Sequence, residues 1–132
     1  MDDCREALAA VVAWLRERHA AVMAAEKAAL ALLEQGDVAG HSAKMHEKAR
    51  LLAKMCEDAR PVLAPLAGPL RAQIALGLDR FSGSAQTGLD LDSLFYMSAL
   101  LYRDDHRAGE PDNLQLFIER LEREGATFGG QE

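Results

Sequence analysis

The stretch that decides the fold is Leu32-Leu33-Glu34-Gln35-Gly36-Asp37-Val38-Ala39. Gly36 is a natural stop after a last helical turn, and Asp37 is a natural N-cap for the helix that follows. Upstream, residues 3–35 hold no Gly or Pro and are dense in Ala and Leu. Apolar residues recur there at Leu8, Val12, Leu15, Val22, Ala29 and Leu33, in steps of three, four or seven, which is one stripe of a long helix. Downstream, Val38, Met45, Ala49, Leu52, Cys56 and Ala59 make a second stripe, and Pro61 ends or breaks it. The two stripes predict an antiparallel helical hairpin over 3–35 and 38–59, joined by a short turn. In such a hairpin facing positions sum to roughly 73, which sets Glu26 near Lys48 and His19 near residues 54–56.

The remainder reads as shorter helices. Residues 61–69 (Pro-Val-Leu-Ala-Pro-Leu-Ala-Gly-Pro) form an apolar elbow expected to pack on the hairpin. Pro69 suits the first turn of a third helix, through about Phe81. Residues 82–89, with two Ser and two Gly, read as the most flexible segment. Asp90 or Asp92 then caps a fourth helix through about Arg103. Pro111-Asp112-Asn113 opens a fifth, which Gly125 stops, leaving 126–132 as a frayed tail. The expectation is a single all-α domain over 1–132: a long antiparallel hairpin (3–59) plus three shorter helices (61–125) in a small helical bundle.

Composition agrees. Of 132 residues, 24 are Ala and 20 are Leu, while Val, Ile and Thr together number nine, which argues against an all-β fold. The net charge is −6. Residues 1–60 carry nine basic and ten acidic groups; residues 61–132 carry six and eleven, so the acidity lies in the second half. Neither half collects the positive charge that binding nucleic acid or an anionic membrane requires. Cys4 and Cys56 read as reduced thiols. The acidic N-terminus lacks a secretion-signal pattern, and the expected location is cytoplasmic.

His19 and Glu26 share a stripe with Leu15, Val22 and Leu33. They read as a ligand or proton-transfer pair, or as an interhelical contact of Glu26 with Lys48. The contact is the favoured reading, since buried charges are usually paired; on it, leucine at position 26 leaves the protein folded. His41, Met45, His46 and Cys56, with His19 and Met23, raise the question of a soft metal. The chain has no Cys-x-x-Cys, His-x-x-x-His or Glu-x-x-His spacing, so the expectation is no metal and no cofactor. Nor is there a Gly-x-Ser-x-Gly motif or a phosphate-cradling Gly loop, and no catalytic residue is assigned.

Several fragments resemble known families. Ala25-Glu26-Lys27 through Leu30, Leu33 and Gly36-Asp37, then Glu47-Lys48-Ala49 and Leu51-Leu52, resembles flagellar type III export chaperones of the FlgN-like kind over residues 15–66. The resemblance implies a non-enzymatic helical hairpin that binds export substrates through amphipathic helices. His41-Ser42-Ala43-Lys44 resembles the His-x-x-Lys core of histidine phosphotransfer domains. There the His accepts the phosphoryl group and the Lys stabilises it; Met45 stands where those domains carry Gly. Asp92-Ser93-Leu94 resembles the Asp-Ser-Leu of acyl carrier proteins, which implies phosphopantetheine on Ser93. Gly109-Glu110-Pro111-Asp112-Asn113 is similar to the Glu-Pro-Asp-His segment of redox-enzyme maturation chaperones, with Asn113 in the place of the His.

The sequence therefore predicts a protein-binding module, an export-chaperone-like adaptor, that binds a protein partner or self-associates as a homodimer. The candidate binding surface is Leu15, Val22, Leu30, Leu33, Met45, Leu52 and Met55, more than half of them expected to be core. The alternatives are a phosphotransfer domain using His41 and Lys44 and a carrier module using Ser93.

Overall fold

The turn after Leu33 closes through its own backbone. Gly36 takes a positive φ of 80°, the Gly36 N–H donates to the Leu33 carbonyl, and the Asp37 N–H donates to the Leu32 carbonyl. This paired closure satisfies carbonyls that a helix end leaves open, and it needs a residue without a side chain at position 36. Asp37 Oδ1 then accepts from the Gly40 N–H at 2.8 Å and starts the next helix. A computed structural model describes the backbone of Asp2 to Gln131 and the side chains of Cys4 to Glu124. In it α1 (Asp2–Glu34) and α2 (Val38–Ala53) form the predicted hairpin.

The second helix stops earlier than its stripe suggests. It ends at Ala53, and the chain continues as two short helices, α3 (Met55–Asp58) and α4 (Arg60–Leu63). The cause is Ser82. Its hydroxyl donates to the Leu52 carbonyl at 2.8 Å and accepts from the Cys56 N–H at 3.0 Å. Those two groups would otherwise bond each other across one helical turn, so the inserted hydroxyl opens the ladder there. Pro61 lies in the first turn of α4, where its missing N–H costs nothing. Leu63 and Leu66 of the elbow are buried, as expected of an apolar connection.

Helix α5 (Gly68–Leu91) overturns the reading of 82–89 as a flexible loop. Ser82, Ala85 and Gly88 form its buried face. Small residues there let α5 approach its neighbours closely: a Cβ on Gly88 would sit 3.0 Å from the Tyr96 ring. Asp92 ends the helix in the left-handed region (φ 49°), with the Ser93 N–H on the Gly88 carbonyl. Ser93, not Asp90 or Asp92, caps the next helix, α6 (Leu94–Ala99), by accepting from the Tyr96 N–H at 3.1 Å. That helix stops well before Arg103. The last, α7 (Asn113–Gln131), opens where predicted, with Asp112 Oδ1 accepting from the Gln115 N–H at 2.9 Å. Its backbone continues past Gly125 through the segment expected to fray, because a glycine weakens a helix by only about 1 kcal/mol and does not by itself end one. Glu132 lies outside the described residues.

The described residues form an all-α bundle with no strand. α1 packs on α2 and α7, while α5 packs on α2 and α3. The core runs through Val11, Leu15, Val22, Met45, Leu52 and Met55 into Ile74, Leu78, Met97, Leu114 and Ile118. α5 and α7 each lean on the hairpin and meet each other chiefly through side chains, notably an edge-to-face pair of Phe81 and Phe117 at 5.7 Å. Among the described residues no helix is long and apolar enough to cross a membrane.

Candidate functional site

One turn of α1 after another turns a polar group inward: His19, Met23 and Glu26 recur at four and three residues and so lie on one face. Opposite them Lys48 is fully buried, its ammonium 2.9 Å from Glu26 Oε2. The contact is close but poorly angled: Oε2 is buried without an aligned donor, and the Lys48 hydrogen bond goes to the Ser98 carbonyl at 3.2 Å. The ammonium also lies 5.2 Å from the centre of the Tyr102 ring. Tyr102 closes the group by donating its hydroxyl to Glu26 Oε1 at 2.5 Å. Burial pushes the Lys48 pKa down against the opposing pull of Glu26. Burial, then the bond to Glu26, raises that of Tyr102, so the phenol holds its proton.

The hairpin register thus brings Glu26 to Lys48 as the spacing predicts. His19 has a different partner: its Nε2 lies 2.7 Å from Asp112 Oδ2, on the residue that caps α7. Asp112 is buried, which alone would raise its pKa. The His19 bond and the backbone N–H groups of Gln115 and Leu114 outweigh that and hold the carboxyl below its ordinary value. Asp112 and Tyr102 carried no signal for this cluster in the sequence, because both reach it from a loop distant along the chain. The cluster fixes α7 and the 100–112 segment to the hairpin. Around it are buried apolar side chains such as Val22, Met45 and Leu114.

A second polar contact ties α2 to the α5–α6 corner. His46 Nδ1 faces the Ser42 carbonyl at 2.7 Å and Nε2 faces Asp92 Oδ1 at 2.8 Å. Both ring nitrogens meet acceptors, so the imidazolium is favoured and the pKa is raised, first by the Ser42 carbonyl and then by Asp92. His41 is half-buried, with Nδ1 3.0 Å from the Ala29 carbonyl, and Lys44 pairs with Glu47 at 3.1 Å rather than with His41. The Ser93 hydroxyl is engaged as the α6 cap. Each of these side chains has structural work. Among the described residues no three His, Cys, Asp or Glu side chains gather as a metal site requires.

Of the seven candidate binding residues, Leu15, Val22, Met45, Leu52 and Met55 are core and unavailable to a partner. Leu33 shares their stripe and Leu30 lies beside it, yet both are exposed near the hairpin turn. Val38, Leu91 and Phe95 are exposed too, Phe95 by 85%. Sequence reading missed these three. Asp92 binds His46, which lies midway along α2 about 12 Å from Val38, so the α5–α6 corner sits against the middle of that helix. The chain matches no protein-family model, no curated protein and no solved structure.

Proposed function

We propose that this chain is a non-enzymatic, export-chaperone-like adaptor that takes a partner's amphipathic helix on exposed apolar side chains, Leu30, Leu33 and Val38 about the hairpin turn and Leu91 and Phe95 at the α5–α6 corner. The observation that carries this reading is Phe95, an aromatic ring left 85% exposed on a six-residue helix that already has a buried anchor in Met97. Exposed apolar side chains in a chain otherwise rich in surface charge support a docking role. Spaced apolar anchors on a helix are the natural complement to such side chains. In a second form of the same reading the partner is another copy of this chain, giving a homodimer.

The test uses Leu33→Glu combined with Phe95→Glu, both at exposed positions. Sedimentation velocity reports self-association, and affinity capture from the source cell reports partners. The reading expects the partner or the dimer to be lost in the double variant while helical circular dichroism is unchanged. A monomer that captures the same proteins with and without the charges would overturn it.

A further inference from the structure

Because α5 and α7 pack on the hairpin rather than on each other, they leave a cleft of about 330 Å³ between them. Its floor is Leu52 of α2 with Leu100 and Leu101 from the segment after α6. Its wall is the Phe81–Phe117 pair. Gly77 brings the α5 backbone against that wall: a Cβ there would stand 2.5 Å from Phe117 Cε1. At the mouth sit two exposed arginines, Arg80 from α5 and Arg120 from α7, the latter 5.6 Å over the Phe117 ring. Among the described residues neither guanidinium has a carboxylate within ion-pair distance. No carboxylate is among the residues that line this hollow, so the two guanidiniums are its charged groups.

We infer that this cleft binds a small amphipathic carboxylate, with its apolar body between Phe81, Phe117 and Leu101 and its carboxylate between Arg80 and Arg120. Each half of the ligand answers one half of the site. Guanidinium groups hold carboxylates through paired charge-assisted hydrogen bonds, and the aromatic and leucine walls offer apolar contact but few polar partners. The volume lies at the low end of the ~300–1,000 Å³ typical of ligand sites. It suits a medium-chain fatty acid or an aryl alkanoate and is too small and too apolar for a nucleotide. This inference does not rest on the proposed docking role.

The probe is decanoate, titrated by calorimetry into the full chain at neutral pH, with decylamine as the cation of matched length. Decanoate is expected to bind at one site per chain and decylamine not to bind there. Arg80→Gln with Arg120→Gln is expected to weaken decanoate on the order of tenfold or more. Ser84→Trp, at an exposed position lining the cleft, should plug it and abolish binding. Thermal melts of the variants verify that each remains folded, and amide shifts at Leu101, Asn113 and Phe117 locate the ligand. No saturable decanoate binding up to about 1 mM, a weak limit for a specific site, overturns the inference. So does equal affinity for decylamine, binding untouched by the plug, or binding of a peptide ending in Leu-Phe with a free carboxylate where decanoate fails.

Discussion

Replacing Glu26 by leucine strands an ammonium. Lys48 has no exposure to solvent, and without the carboxylate its remaining contacts are the Ser98 carbonyl and the face of Tyr102. Removing one partner of a buried ion pair typically costs about 3–5 kcal/mol. For a chain of this length that lowers the melting temperature on the order of 10–20 °C. This is a larger loss than the sequence reading expects, on which leucine at position 26 leaves the protein folded. Lys48→Met alone is milder, roughly 1–3 kcal/mol, because Glu26 keeps the Tyr102 hydroxyl and part of its side chain reaches water. Combining Glu26→Leu, Lys48→Met and Tyr102→Phe removes every polar member at once and should recover most of the loss, since apolar replacement of a buried pair is commonly neutral or stabilising. Burial already depresses the Lys48 pKa, and a buried lysine with a depressed pKa gives stability back as pH rises above its folded pKa and the group turns neutral. The Glu26→Leu penalty should thus shrink toward alkaline pH. Urea unfolding followed by fluorescence of Trp14, the single tryptophan, measures each variant. A Glu26→Leu cost under about 1 kcal/mol, or a triple variant less stable than Glu26→Leu alone, would refute the reasoning.

The His46 imidazole should titrate above 6.5, its ordinary value, and move down in Asp92→Asn; nuclear magnetic resonance of the ring protons reads both. Its raised pKa makes the α2–α5 contact contribute fully below 6.5 and fade as pH climbs through the folded value, so stability attributable to Asp92 should be smaller at pH 8 than at pH 5.5. Gly83→Ala, with open space around the new Cβ in mid-helix, should stabilise by about 0.5–1 kcal/mol; a neutral result would mean that 82–89 is not helical in solution. Gly77→Ala, which meets the Phe117 ring, should forfeit that gain by crowding of about 1–3 kcal/mol, seen as a lower unfolding midpoint than for Gly83→Ala. Ser82→Ala should cost about 1–3 kcal/mol, because the packing of α3 on α5 holds the Leu52 carbonyl and the Cys56 N–H apart, and faster amide exchange at Cys56 would report it.

What the sequence reveals here is what local chemistry decides. Gly36 and Asp37 act within four residues of themselves, so the hairpin turn reads directly. The Glu26–Lys48 contact follows from the turn by geometry, with no further information. The misreadings share one cause. Ser82, Gly83 and Gly88 have the composition of a loop, yet the bundle uses the small size of Gly88 for close approach and the Ser82 hydroxyl for bonding, and both uses exist only once another helix is alongside. Leu15 and Leu33 are equivalent by periodicity; only the assembled bundle shows that the first is buried and the second exposed. Asp112 reads as a cap, which it is, while its second role beneath His19 depends on a contact between residues far apart in the chain.

The hydroxyl of Ser82 also has a mechanical consequence. Faces built from Ala, Gly and Leu resist separation but oppose sliding weakly, since shifting by one turn exchanges one smooth contact for another. A side chain threaded into the backbone of its neighbour acts as a dowel: α5 cannot translate along α2 without withdrawing it from between Leu52 and Cys56. Shear between those two helices is therefore locked, while α7 is held to α1 by side-chain pairs such as His19–Asp112 and Arg16–Glu122, which can tilt and re-form. The register of α5 on α2 is thus set by a single threaded side chain, whereas that of α7 on α1 is set by pairs of side chains meeting across the surface between them.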